Sequence, residues 1–339
     1  PCPTQAPSGR LTFPGPARPA RILLFNARRF CGPMQASLER RSAMGMGTPF
    51  DYVEAFSRNI GWVSRDEQSQ LRRKRVAIAG MGGVGGPHLM TLARAGVGNF
   101  TIADLDSFEL ANFNRQYGAN TGTIGLEKVD VMRDYCQAIN PEADVRIFPQ
   151  GVSADNLDDF LDGVDLYMDS LDFFALDIRR KVFARCHELG IPAITAAPMG
   201  MGTAMLVFMP DGMSFEEYFC FEDASGEEDQ LIKFMIGVSP SMQQRHYLTP
   251  DSAVDFNNRK VPSIVMGIDL AAGVACANAL KVMLDRGDVV TAPRGLHFDA
   301  YRSRLIKTWR PLGNRNPLQW AMFHIVRRML RKQKQQSQG

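Results

Sequence analysis

The sequence predicts an α/β fold: a doubly wound, mostly parallel sheet with helices on both faces. Three observations carry this. Short apolar, β-branched runs alternate with stretches of helical period. The runs stop at Gly or Asp, and the helical stretches carry Pro in their first turn or Gly just past their end. A glycine-rich turn joins the first run to the first helix that follows it, which is the entry to a strand–turn–helix unit.

The elements follow in order. Residues 51–74 are polar and amphipathic, one or two helices leading into the core. Residues 75–80 (RVAIAG) form a buried strand that Gly stops. Helix 87–95 has Pro at its start and Gly96 at its end. Strand 100–104 (FTIAD) comes next, then helix 128–138, which the Asn140-Pro141 step breaks. Strand 145–148, short helix 155–162 and strand 166–169 follow. Helix 175–189 stops at Gly190, and strands 191–197 and 204–209 come after it. Residues 211–262 mix Gly, Pro, Ser and acids and are expected to be loops and short helices. A helix over 264–286 closes the body. Its apolar window holds Asp269, Asn278 and Lys281, so it is read as a buried or interface helix rather than a bilayer span. A last strand is expected over 296–306, and a basic amphipathic helix over 317–335.

Charge divides the chain into three. It has 339 residues and a net charge of +3, but residues 1–50 carry +6, residues 307–339 carry +8 with no acid, and the middle carries −11. An acidic body excludes a strongly basic nucleic-acid-binding core and leaves a basic appendage. The composition break at Met46 sets residues 1–45 apart as a disordered or non-native extension, with native translation starting at Met44 or Met46. The body is 46–310 and the basic tail 311–339. Six cysteines, at 2, 31, 136, 186, 220 and 276, show no C-x-x-C spacing. That excludes a disulfide framework and a zinc knuckle, and free thiols point to the cytoplasm.

Three signals carry chemistry. The first is Gly80-Met-Gly82-Gly83-Val-Gly85 between strand and helix. There the backbone can approach a phosphate and the helix N-terminus adds positive charge. Asp104, at the end of the next strand, is placed to accept ribose hydroxyls. By itself this says "nucleotide", most often NAD. The second signal is Asn112-Phe-Asn114-Arg115-Gln116 followed by Gly125-Leu-Glu-Lys128. Hydride transfer gives this Arg and Lys no task, whereas a triphosphate whose pyrophosphate departs needs cations on the developing charge. The third is Asp169-Ser-Leu-Asp172 at a strand's carboxyl end, where a carboxylate suits Mg²⁺ or caps the next helix.

On these residues the stretch from about Tyr52 to Pro210 resembles the ThiF/MoeB/HesA family of adenylyltransferases, relatives of ubiquitin-activating enzymes. The resemblance rests on the G-x-G-G-x-G loop, Ala95-Gly-Val-Gly98, Asp104-Leu-Asp106, the Asn112–Gln116 box, G-x-x-K at Gly125–Lys128, Asn140-Pro141 and D-x-x-D at Asp169–Asp172. It implies a Rossmann-like fold that binds ATP through Gly80, Gly82, Gly83, Gly85, Asp104, Asp106, Asn112, Asn114, Arg115 and Lys128. It also implies Mg²⁺ on Asp172 and a homodimer in which Arg58 reaches the partner's ATP; a plain surface Arg is the alternative for Arg58. The implied reaction joins a carboxylate to the α-phosphorus of ATP, giving an acyl-adenylate and pyrophosphate. The carboxylate would be the C-terminal Gly of a small ubiquitin-like sulfur carrier, or a peptide. Alternatives are carboxylate activation and cyclisation like that of a tRNA threonylcarbamoyladenosine dehydratase, an NAD-dependent dehydrogenase, and a degenerate nucleotide-binding subunit.

The chain also departs from the family. The C-x-x-C pairs that hold zinc in many members are missing, so no zinc is expected. Phe173 stands where Asn often follows the second Asp. Cys186 reads as a core thiol. Cys220 is a candidate for a later thioester or persulfide step, although the acids around it disfavour a thiolate. His88 reads as a partly buried helix residue. No membrane association is expected, and the tail is expected to dock on the body's acidic face, to bind a partner or to stay solvated.

Overall fold

The computed structural model describes residues 49–249 and 261–336, with side chains to 331. The expectations on 1–45 and on the end of the 211–262 excursion lie outside these residues. Two short helices, α1 (Tyr52–Ala55) and α2 (Arg65–Arg73), lead to strand β1 (Arg75–Ala79). Then come α3 (Gly85–Arg94), β2 (Asn99–Ala103), α4 (Lys128–Ile139), β3 (Asp144–Phe148), α5 (Leu157–Leu161), β4 (Leu166–Asp169), α6 (Leu176–Leu189), β5 (Ala193–Pro198) and β6 (Gly202–Phe208). The sheet has eight strands in the order β3-β2-β1-β4-β5-β6-β7-β8, where β7 is Arg294–Asp299 and β8 is Arg304–Trp309. Strands β1 to β5 pair in parallel, as predicted, and β6, β7 and β8 extend the sheet antiparallel.

The two-residue period of the strands separates two cores. Val76 and Ile78 of β1, Phe100 and Ile102 of β2, and Leu166 and Met168 of β4 face one side. There they meet Leu89 and Leu92 of α3, Val129 and Met132 of α4, and Ala271, Ala275 and Ala279 of helix α9 (Val265–Met283). Ala77, Ala79 and Tyr167 face the other side, against Phe160 of α5, Val182 and Phe183 of α6, and the aromatic residues of the excursion. α9 is the one described helix apolar and long enough for a bilayer. Here it lies against α3, β5 and β6, its small residues allowing close approach to the sheet.

One expectation changes and two are filled in. The single strand over 296–306 is a hairpin: β7 and β8 pair antiparallel from Asp299↔Arg304 to Arg294↔Trp309. Its turn has no Gly or Pro. The Asp299 carboxylate accepts the Arg302 N–H at 2.9 Å and Ser303 takes φ +51°, so side-chain chemistry makes the bend. The excursion is more ordered than its composition suggests. It contains α7 (Phe215–Phe219), with a Ser214/Glu217 capping box, and α8 (Glu227–Val238). Phe219 stacks on Phe221 and tilts against Phe234, each at 5.3 Å between centroids. This long-range aromatic packing leaves no local period to read. Finally, the tail docks. Helix α10 (Pro317–Gln336) runs along α8, where the Gln319 side chain donates to the Ile236 carbonyl at 2.9 Å and Arg327 pairs with Asp229 at 3.1 Å. Arg315 pairs with Glu222 and Asp223 at 2.8 and 2.9 Å.

Candidate active site

The strand order 3-2-1-4-5 places a topological switch point between β1 and β4, and open α/β sheets take their ligands beyond the carboxyl ends of the strands at such a point. The glycine loop leaves β1 there, and Asp169–Asp172 leaves β4. The two turns touch. Gly80 has φ +94°, and a Cβ on it would stand 2.2 Å from the Ser170 carbonyl oxygen. A Cβ on Gly85 would stand 1.7 Å from the Gly80 carbonyl oxygen. Only glycine closes this loop onto the first turn of α3. Gly82 faces the Gln116 amide, and Gly83 lies beside Ile268 of α9 and the Arg115 stem.

Asp104 ends the β2 side of the site. One carboxylate oxygen accepts the Met81 N–H of the glycine loop at 2.6 Å, and the other accepts the Asp106 N–H at 2.9 Å. Burial pushes its carboxyl pKa up, while the Lys128 ammonium pulls it down. Lys128 is buried, with Nζ 2.9 Å from Asp106 and 3.9 Å from Asp104. Lys128, which the resemblance puts on the phosphates, is paired with these two acids here.

The Asn112–Gln116 box turns back toward the loop. Asn112 is buried and works as scaffold. Its side chain accepts the Glu109 N–H, and its carbonyl accepts the N–H groups of Arg115 and Gln116. Asn114 donates to the Ser263 carbonyl at 3.1 Å and accepts from Arg115 at 2.9 Å. The Arg115 guanidinium also donates to the Ala111 carbonyl, and among the described residues it pairs with no acid. Its stem lies beside Gly83, and its charge has no acid partner among the described residues. Gln116, quoted in the motif but not singled out as a site residue, has a buried side-chain oxygen without a hydrogen-bond partner among the described residues. Its amide lies 3.5 Å from where a Gly82 Cβ would be. The amide nitrogen is the end nearest Gly82, and the unpartnered oxygen lies behind it at 3.9 Å, so the group retains hydrogen-bonding capacity beside the loop.

The D-x-x-D turn divides its acids. Asp169 is buried, bound by Arg179 at 2.9 Å and by the Thr195 hydroxyl at 2.8 Å. Arg179, which the sequence reading missed, also donates to the carbonyls of Leu171 and Asp172, at 2.6 and 3.1 Å. It clamps the turn from beneath; a lone Arg on a helix gives no sign of this. Asp172 is exposed at the mouth, one oxygen accepting the Phe174 N–H at 2.9 Å. An exposed carboxylate oxygen on a rigid turn suits a hard cation such as Mg²⁺. Phe173 packs against Phe174 and against Phe234 of α8, so the position that is often Asn ties the turn to the excursion instead.

Arg58 is exposed on a 3-10 turn over Ser57–Asn59 and, among the described residues, pairs with no acid. Cys186 is a core thiol. Cys220 is buried too; burial pushes its pKa up and its Sγ donates to the Glu217 carbonyl. This geometry gives Cys220 no open path for a thioester.

This end of the sheet therefore brings together a glycine loop, the Asp104–Asp106–Lys128 cluster, a guanidinium with no acid partner among the described residues and an exposed carboxylate. The ThiF family profile matches residues 56–321. The chain belongs to the ThiF family. The tRNA threonylcarbamoyladenosine dehydratase of Haemophilus influenzae is 33% identical over 153 residues, 44% of this chain and 58% of that protein. The sulfur carrier protein ThiS adenylyltransferase of Escherichia coli is 32% identical over 148 residues, with the same two shares. The E. coli molybdopterin-synthase adenylyltransferase is 33% identical over 187 residues, covering 52% of this chain and 73% of that one. The chain thus spans little more than half the length of the first two relatives. Among solved structures, PaaA superposes with a TM-score of 0.58 at 20% identity, covering 81% of this chain and 80% of its own. E. coli MccB with ATP gives 0.53 at 18% identity, covering 71% and 64%. These likenesses show the same fold.

Proposed function

We propose that this ThiF-family chain is an ATP-dependent adenylyltransferase that converts a carboxylate to an acyl-adenylate and releases pyrophosphate. The observation that supports this most is Arg115, whose stem lies beside Gly83 and whose guanidinium, tied to Ala111 and Asn114, pairs with no acid among the described residues. A nicotinamide site has no use for it, and a triphosphate does. The glycine loop and α3 N-terminus take the phosphates, Asp104 takes the ribose, and Gln116 supplies a further polar contact. A carboxylate oxygen attacks the α-phosphorus; the bond to the bridging oxygen breaks and pyrophosphate leaves with that electron pair. Arg115 stabilises the charge that develops, and Lys128 joins it by exchanging Asp106 for phosphate. Asp172 would hold Mg²⁺, which neutralises phosphate charge when bound. Catalysis here is positioning and electrostatics, without a covalent enzyme intermediate.

The carboxylate we propose is the C-terminal Gly of a small ubiquitin-like sulfur carrier, or a peptide. The enzyme is a cytoplasmic homodimer in which Arg58 serves the partner's ATP. The relatives named as dehydratases favour a second reading, activation of a threonylcarbamoyl carboxylate on tRNA. The basic α10 and the exposed Trp309 and Trp320 support it. Calorimetry with Mg·ATP and with NAD separates both readings from a dehydrogenase: ATP binding supports the proposal, and NAD binding without ATP binding refutes it. Arg115→Ala is expected to abolish ATP–pyrophosphate exchange with an unchanged melting temperature. Unchanged exchange in that variant would remove Arg115 from the reaction.

A further inference from the structure

His88 lies in the first turn of α3, on a face it shares with Leu89 and Leu92, and is wholly buried. Filling that space needs no polar atom. Its Nδ1 is 3.1 Å from the Ser170 hydroxyl, and the Ala271 main chain of α9 also hydrogen-bonds the ring. What the histidine adds over an apolar side chain is this pair of polar contacts, one to the D-x-x-D turn and one to α9. Ser170 is the residue that interlocks the two turns of the site. Its N–H donates to the Ala79 carbonyl at 3.1 Å. Its carbonyl oxygen is what a Gly80 Cβ would strike, and its Cβ is 3.1 Å from where a Gly85 Cβ would be. On its far side His88 meets α9: the Cys276 thiol points to the His88 carbonyl at 3.8 Å, and the Ala271 main chain acts on the ring. The same helix brings Ile268 to Gly83, and its Asp269 accepts the Tyr117 hydroxyl at 2.7 Å.

We infer that His88 is a positioning residue. Through Ser170 it fixes the spacing between the glycine loop and the turn that carries Asp172, and it registers both against α9. This rests on the adenylyltransferase reading, in which the phosphates lie on the first turn and the cation on the second. The His88–Ser170 contact then sets how well one Mg·ATP satisfies both. Its loss acts on nucleotide binding rather than on folding.

The test is a double-mutant cycle on the full chain, read by calorimetry with Mg·ATP and by thermal unfolding. His88→Leu is expected to keep or raise the melting temperature and to weaken Mg·ATP binding about tenfold. Ser170→Ala is expected to weaken it similarly, and the double variant no further than either single one. His88→Asn, which returns a hydrogen-bonding atom near the Nδ1 position, is expected to recover most of the loss. If His88→Leu does not fold, Ser170→Ala and His88→Asn carry the test. Wild-type affinity in His88→Leu or in Ser170→Ala overturns the inference, as do losses that multiply in the double variant. A wild-type chain that binds no Mg·ATP overturns the underlying reading instead, and the inference with it.

Discussion

Gly82 and Gly85 belong to one motif and carry different burdens. A Cβ on Gly85 collides with backbone, so Gly85→Ala is expected to destabilise the fold by about 3 kcal/mol or more, as overpacking against rigid atoms does. A Cβ on Gly82 meets only the Gln116 side chain at ordinary contact distance. Gly82→Ala is therefore expected to melt within a few degrees of wild type and to lose nucleotide affinity. Unfolding curves paired with calorimetry check both, and equal stability for the two variants contradicts the steric account. At this scale the sequence was legible wherever spacing encodes position: the glycine loop, Asp104 and the Asp169–Asp172 turn all stand at the carboxyl ends of β1, β2 and β4. It was silent on Arg179 and read His88 as partly buried where the structure buries it fully, because what each does depends on a partner distant in the chain. It did not show that the Asn112 side chain also caps its own turn.

Among elements, the parallel half of the sheet was readable because each strand and its following helix are local and periodic. The hairpin of β7 and β8 and the helices of the excursion were not. The first turns on an aspartate side chain, and the second gather their aromatic residues from several segments. Arg179 shows how an element carries the site. From α6 it holds Asp169 and the turn carbonyls that present Asp172, all out of water. Arg179→Met leaves Asp169 buried and unpaired, with an expected cost of about 3–5 kcal/mol in chemical denaturation. Arg179→Met/Asp169→Leu is expected to regain much of that stability without regaining nucleotide affinity, because the turn stays unclamped. Full affinity in the double variant would show that the clamp is dispensable.

Across the whole molecule the net charge of +3 is a balance between an acidic body and basic ends, and part of it is spent inside the fold. Arg315 and Arg327 of the tail sit on Glu222, Asp223 and Asp229 of the body, so the basic end serves at least partly to pin α10. Stability should also report two buried histidines. Burial lowers the pKa of His88 to about 3 and that of His297 to about 4. Both are neutral in the folded and unfolded chain above the ordinary value of about 6.5, so their effect is absent from the slope there. Below it the unfolded chain takes up protons that the folded chain refuses. Stability therefore falls with falling pH, by about 1.4 kcal/mol per pH unit for each histidine, until their folded values are reached. His88→Leu should flatten that slope between pH 6 and pH 4 in denaturant titrations, and an unchanged slope would contradict its burial as a neutral base. The central claim, that this site adenylates a carboxylate, is tested most directly by exchange of labelled pyrophosphate into ATP. The assay supplies Mg²⁺ and a panel of carrier proteins ending in Gly-Gly, peptides and threonylcarbamoylated tRNA. The account predicts exchange that depends on one of these carboxylates and disappears in Arg115→Ala. Exchange with none of them, from a chain that binds NAD and not ATP, would contradict it.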